Sequence, residues 1–245
     1  MKKIILLMIF TLSLLANQID QIKMFTEHYP PYNYKDKNGK LKGMSIEVLN
    51  EMLLEMKSTQ SIDDVKLRSW AKSYTIAQKV KNAMVFVTTR TKARENLFKW
   101  VGPIAKTSIG IIALKENKTQ IKELKDLNKY KIGAVLKDVG EMYLLDAGVD
   151  KSNIQYVKGE DAINISFNKM RKKRIDMFIY ETNVAFMNAK NEGFDINKYE
   201  VIYSFDEDYL YFAFNKNTDD KIITKWQNAL DTIKKNGIYD KINFK

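Results

Sequence analysis

None of the 245 residues is cysteine. That absence excludes a disulfide framework, a thiolate metal site and a lipid-modified N-terminal cysteine. Histidine occurs once, as His28, which removes any histidine metal cluster; read as a loop residue, it also leaves a catalytic triad without its base. Proline occurs three times, and Pro30-Pro31 stand together, so helix is forbidden there and the neighbouring aromatics are held on an extended loop. Beyond the first sixteen residues no apolar run approaches the roughly eighteen residues of a membrane span. The mature chain is therefore expected to be soluble.

The first sixteen residues are different in kind. Lys2-Lys3 precede an apolar run from Ile4 to Leu15, broken by Thr11 and Ser13, with Ala16 offering a small residue for cleavage. The run is too short to cross a bilayer, so residues 1–16 read as a secretory signal peptide, although Leu14 stands where a small residue is preferred. The expected product is a free periplasmic protein without a lipid anchor.

Charge is present in excess of one sign: 41 Lys and Arg against 30 Asp and Glu give a net +11, which the loss of Lys2 and Lys3 lowers by two. The densest basic run, Lys169 to Arg174, would suit nucleic acid. The rest of the positive charge is spread along the chain, however, and no aromatic-rich motif accompanies it. The run reads as the solvated face of a helix, and no nucleic-acid partner is expected. Hydrophobic residues at 45% and charged residues at 29% are ordinary for a globular chain of this length, which can bury one core or two modest lobes.

The stretch that organises the chain is Ala83 to Pro103. Ala83 to Val87 is apolar and rich in β-branched and aromatic residues, as suits a strand covered on both faces. Thr88, Thr89, Arg90, Thr91 and Arg94 follow on what reads as an exposed loop, closed by a Gly102-Pro103 corner. A loop at the end of a buried strand is where an α/β fold keeps its ligand groups. Arginine's planar fork fits a carboxylate, with threonine hydroxyls available for the remaining lone pairs. The stretch thus reads as an anion-recognition loop. The competing reading is an ordinary solvated strand-to-helix turn.

The Thr-x-x-Arg of Thr91 to Arg94, followed by Phe98, Trp100 and Gly102-Pro103, resembles the signature of the family 3 extracellular solute-binding proteins, the polar-amino-acid type of periplasmic receptor. The resemblance spans roughly residues 22 to 243. It implies an α/β, two-lobed type II periplasmic-binding-protein fold, with a mostly parallel sheet in each lobe and two crossing segments. Residues 17–106 and 210–245 would form one lobe and 107–209 the other.

Taken in order, the mature chain alternates strands and helices, the pattern of right-handed crossovers and parallel sheets. Strands are expected at 21–26, 107–114, 130–135, 154–157, 175–180, 201–204 and 209–214, and helices at 45–56, 70–80, 140–147, 161–171, 182–191 and 219–235. Asn38-Gly39 marks a hairpin turn.

The resemblance also carries roles onto this sequence. Tyr29 matches an aromatic wall of the family's ligand pocket, with Glu27 beside it, and Trp70 opens a helix at a cleft-facing position. Arg94 and Thr89 would grip a ligand carboxylate, with Thr91 in the same loop. Glu181 stands where relatives pair an acid with the ligand's α-ammonium; the competing reading is a helix N-terminal acid favoured by the dipole. Asp138 follows a strand and precedes a helix whose free N–H groups could meet an anion. Relatives usually carry Ser or Thr there, and an inward Asp138 would repel a carboxylate unless it caps the helix.

The expected function is a receptor that closes on an amino acid or related carboxylate and delivers it to an ABC-type permease, as a monomer, with no cofactor, metal or catalytic residue. Two alternatives stand beside it. A secreted dehydratase on the same fold would use Glu181 as general acid, and a sensing receptor would signal to a membrane partner.

Overall fold

The computed structural model describes residues 21–159 and 161–242. The signal segment expected at 1–16 lies outside them. Two five-stranded sheets organise the chain. The first contains β1 (Lys23–Thr26), β4 (Lys66–Leu67), β5 (Ala83–Thr89), β6 (Phe98–Thr107) and β12 (Asp208–Asn215), in the order β4-β1-β5-β12-β6. The second contains β7 (Ile109–Leu114), β8 (Ile132–Val135), β9 (Ile154–Val157), β10 (Met177–Glu181) and β11 (Tyr199–Ser204), in the order β11-β7-β10-β8-β9. Pairing directions leave one strand reversed in each sheet, β12 in the first and β7 in the second. The sheets are thus mostly parallel. A hairpin of β2 (Tyr34–Lys35) and β3 (Leu41–Lys42) turns at Asn38-Gly39.

The middle strand of each sheet is buried along its whole length. All seven residues of β5 and all five of β10 are buried, which is what helices on both faces of a parallel sheet require. Those helices are α1 (Met44–Glu55), α2 (Trp70–Lys79), α3 (Val139–Asp146), α4 (Ala162–Arg171), α5 (Thr182–Asn191) and α6 (Asp220–Lys235), with a short α7 (Ile238–Lys241) behind. Helix α6 shows the logic of its sequence: Ile222, Trp226, Ala229, Leu230 and Ile233 share one buried face. Asp219 caps its start, accepting from the Lys221 N–H at 2.8 Å. At the end of α4, Arg171 to Arg174 are all exposed, so the basic run is a solvated one.

The chain passes between sheets at Ser108, which separates β6 from β7, and again between Ser204 and Asp208. One sequence expectation fails on the way. Gly102-Pro103 is no corner, because β6 runs through both residues and on to Thr107. The strand lies at the sheet edge and pairs only with β12, where a residue without an N–H costs no central ladder bond.

Candidate functional site

Five parallel strands end on the same side. Glu27 and Tyr29 follow β1, Trp70 follows β4, and Thr91 and Arg94 follow β5; from the second sheet, Lys137 and Asp138 follow β8 and Glu181 closes β10. The carboxyl ends of parallel strands are where side chains can meet a ligand without breaking the sheet. The two sets of ends face each other. The Tyr29 and Tyr180 rings touch edge to face at 5.6 Å between centres, and Arg94 reaches Lys137.

Arg94 is the centre of the arrangement, and the structure corrects its expected exposure: only 1% of it is exposed. Thr88 and Thr89 are likewise buried, as the last residues of β5 and not as loop residues. The Arg94 Nη1 donates to the Thr89 carbonyl at 3.1 Å, and Nη2 to the Lys137 carbonyl at 2.9 Å across the gap between sheets. Its guanidinium carbon lies 5.4 Å from the Trp70 ring centre and 5.2 Å from that of Tyr74. Trp70, 3% exposed, sends its indole N–H to the same Lys137 carbonyl at 2.8 Å. Two buried groups have no hydrogen-bond partner, the Arg94 Nε and the Thr91 hydroxyl. Arg90 is used differently. It pairs with Glu95 at 2.6 Å and lies over the Trp100 and Tyr211 rings on the outer surface, which is the solvated-turn reading for that residue alone.

The carboxyls of Glu27 and Asp138 act on this cation, and burial raises the pKa of both, as it does that of Glu181. Glu27 is pushed well above its ordinary range, chiefly because its carboxyl lies deep in the protein and also because Asp138 is near; Arg94 pulls it back. Glu27 as a whole residue keeps some solvent contact, so the enclosed part is the carboxyl end. Asp138 does point inward. It is buried, burial raises its pKa, and Arg94 and the N–H groups of Val139 and Gly140 offset this. Those N–H groups are the first of α3, so its carboxyl stands at the helix start, although without a capping hydrogen bond of regular geometry.

Glu181 is completely buried and is already engaged. It caps α5, accepting from the Val184 N–H at 2.6 Å, from the Asn183 amide at 3.2 Å and from the Ser108 N–H at 3.4 Å. The helix-terminal role is therefore realised in this structure, and it ties α5 to the crossing segment. The Tyr29 and Tyr180 hydroxyls are raised well above their usual pKa by burial, and both feel all three carboxyls.

All eight residues singled out in the sequence therefore lie at these strand ends. Three neighbours escaped sequence reasoning. Tyr74 stands four residues after Trp70 on α2, a spacing that puts both on one helix face and that could have revealed it. Tyr180 adjoins Glu181 in the buried run. Lys137 contributes a main-chain carbonyl from a left-handed turn with φ +66°, and no residue type announces that.

The comparisons with known proteins agree with the geometry. A family model described as bacterial extracellular solute-binding proteins, family 3, matches residues 22–245. An ancestral arginine-binding protein bound to arginine has a similar structure, with a TM-score of 0.72, 25% identity, and coverage of 90% of this chain and 95% of that one. The substrate-binding protein of an ABC uptake transporter from Streptococcus pneumoniae, with bound histidine, has a TM-score of 0.77 at 15% identity, covering 92% of each chain. A histidine kinase sensor domain with similarity to periplasmic binding proteins has a TM-score of 0.77 at 15% identity, covering 91% of this chain and 93% of its own. The last two show the fold alone. Compared by sequence alone, the chain matches none of the curated proteins.

Proposed function

The chain belongs to the bacterial extracellular solute-binding proteins of family 3, and from that premise we propose that it captures an amino acid between its two sheets and delivers it to an ABC-type permease. The observation that carries the reading is the state of Arg94. A guanidinium 1% exposed, with an unpartnered Nε and no ion pair to any described carboxylate, is costly to bury. A ligand carboxylate relieves that cost, accepting from Arg94 and from the orphaned Thr91 hydroxyl at once. Tyr29 and Trp70 wall the rest of the ligand, and Glu181 offers its remaining lone pairs to the α-ammonium.

Closure is the signal in this reading. The Arg94–Lys137 and Trp70–Lys137 bonds join groups from different sheets, so they exist only when the lobes meet, and a ligand that bridges the same groups shifts the population toward the closed form. The receptor works as a periplasmic monomer after loss of its signal peptide. Among the described residues no helix is long and apolar enough to cross a membrane. Binding is favoured over catalysis because Glu181, the general acid of the dehydratase reading, is held by three donors from the protein itself.

The test begins with protein denatured and refolded to strip any carried ligand. Thermal unfolding is then followed against a panel of amino acids, amines and small carboxylates. Ligand at about a hundred times its Kd adds about 2.7 kcal/mol, a rise of roughly 5–10 °C in Tm for a chain of this size. Arg94→Ala is expected to lose about 2–5 kcal/mol of affinity while remaining folded. Unchanged affinity in that variant would sink the assignment.

A further inference from the structure

We infer that the edge of the second sheet away from the cleft is a docking surface for an anionic phospholipid bilayer, with Lys118, Lys131 and the run Lys172 to Arg174 as its contact. The inference goes beyond ligand capture and rests on the extracellular setting of the family. Strand directions place these residues. Glu181, at the cleft, is the last residue of β10. The starts of β10, β8, β9 and β11 and the end of β7 therefore all lie at the opposite edge.

Positive charge is concentrated there. The connections at that edge, residues 115–131, 147–153, 172–176 and 192–198, hold eleven Lys and Arg against seven Asp and Glu. The matching connections of the first sheet, residues 56–65, 80–82 and 216–219, hold three of each. Acids at the second edge are engaged locally: Asp126 pairs with Lys129 at 2.5 Å, and Asp176 accepts from the Lys131 N–H at 2.7 Å. Lys118, Lys131, Lys172, Lys173 and Arg174 are all exposed, and none of them is in an ion pair.

The helix dipole accounts for cations at the end of α4. It does not account for Lys118 and Lys131, which come from the connection after β7 and yet converge on the same place. Lys118 and Lys173, both in left-handed backbone at φ +48° and +53°, line one groove of about 510 Å³ with Thr119, Tyr130 and Asp176. Lys131 adjoins it, its carbonyl accepting from the Asp176 N–H at 2.9 Å.

Fixed cations spread over an exposed edge, beside neutral hydroxyl donors, suit the phosphates of lipid headgroups: each Lys or Arg near an anionic leaflet adds to the attraction and donates to phosphate oxygens. Nucleic acid fits less well, because unpaired bases need open aromatic rings to stack on, and Tyr130 and Phe194 at this edge are both half-buried. Docked this way, the protein keeps its cleft, at the other ends of the strands, clear of the bilayer.

Sedimentation of the mature protein with vesicles tests this, independently of which ligand the cleft takes. Phosphatidylcholine vesicles with about 30% phosphatidylglycerol should bind it at about 0.05 M salt and release it at about 0.5 M, and pure phosphatidylcholine should not bind it. Lys172→Gln, Lys173→Gln and Arg174→Gln together should weaken binding at least about tenfold. Lys118→Gln with Lys131→Gln, which leaves α4 untouched, should weaken it as well. Lys57→Gln, Lys81→Gln and Lys216→Gln together remove three exposed cations from the matching connections of the first sheet, the same charge as the first triple, and should change binding by less than about twofold. Absence of binding to the anionic vesicles overturns the inference. Equal losses in the two triple variants would also overturn it, since net charge and not this edge would then be responsible. A short DNA duplex, or glycerol 3-phosphate, bound more tightly than the vesicles would overturn the bilayer as the occupant.

Discussion

Replacing Trp70 by Phe separates the closing contact from the fold. Trp70 opens α2, is 3% exposed, and donates its indole N–H to the Lys137 carbonyl at 2.8 Å. That carbonyl also accepts from Arg94 at 2.9 Å, so the substitution leaves it with one partner and creates no orphan. The loss is one neutral hydrogen bond, about 0.5–1.5 kcal/mol net. A phenyl ring also attracts the Arg94 guanidinium less than an indole does, by a further fraction of about 1 kcal/mol. Together these give roughly 1–2 kcal/mol, or about a 5–30-fold rise in Kd.

The kinetics locate the loss. In the proposed closure the bond joins the two sides of the cleft, so it stabilises the closed complex and contributes little to encounter. Stopped-flow measurements with the amino acid that binds best should therefore find koff raised by nearly the whole factor and kon changed by no more than about twofold. The ligand-free Tm should stay close to that of the wild type, because the ring still fills its place against Tyr74. An unchanged Kd, or a loss confined to kon, would refute the view that the Lys137 carbonyl holds the cleft shut.

Two further substitutions test the frame and the charge of the site. Gly43→Ala should cost about 2 kcal/mol or more, since Gly43 has φ +115° and a Cβ there would sit 2.7 Å from the Pro31 carbonyl oxygen and 2.6 Å from the Tyr32 carbonyl carbon. A calorimetric Tm lowered by roughly 4–8 °C is expected; a fall under 2 °C would mean that the Pro31-Tyr32 loop yields freely. Glu27→Gln should alter the pH dependence of stability. The folded pKa of Glu27 is raised by burial and by Asp138 against the pull of Arg94, so its contribution is fully present below the ordinary glutamate value of about 4.3 and is lost as pH rises through the raised value. The neutral amide does not suffer that loss. Urea unfolding of the ligand-free proteins should find the variant gaining on the wild type between pH 4 and pH 8. Parallel pH curves would refute the enclosed carboxyl.

What the sequence revealed and what it hid divide at the strand ends. The apolar runs that became β5 and β10 are decided by what each residue gains from leaving water. Those terms are local and can be read directly. Gly102-Pro103 was misleading because proline stops a central strand but not an edge strand, and nothing in a single stretch tells where its strand will stand in the sheet. Arg94 reads as solvated because an arginine after a strand usually is. It is buried here only because Trp70, Tyr74 and the Lys137 carbonyl, from distant parts of the chain, come to meet it. Lys137 itself acts through its backbone, in a conformation that a glycine would have announced and a lysine does not. The residue types of a cleft are thus legible before folding, whereas their charge states are set by the opposing wall.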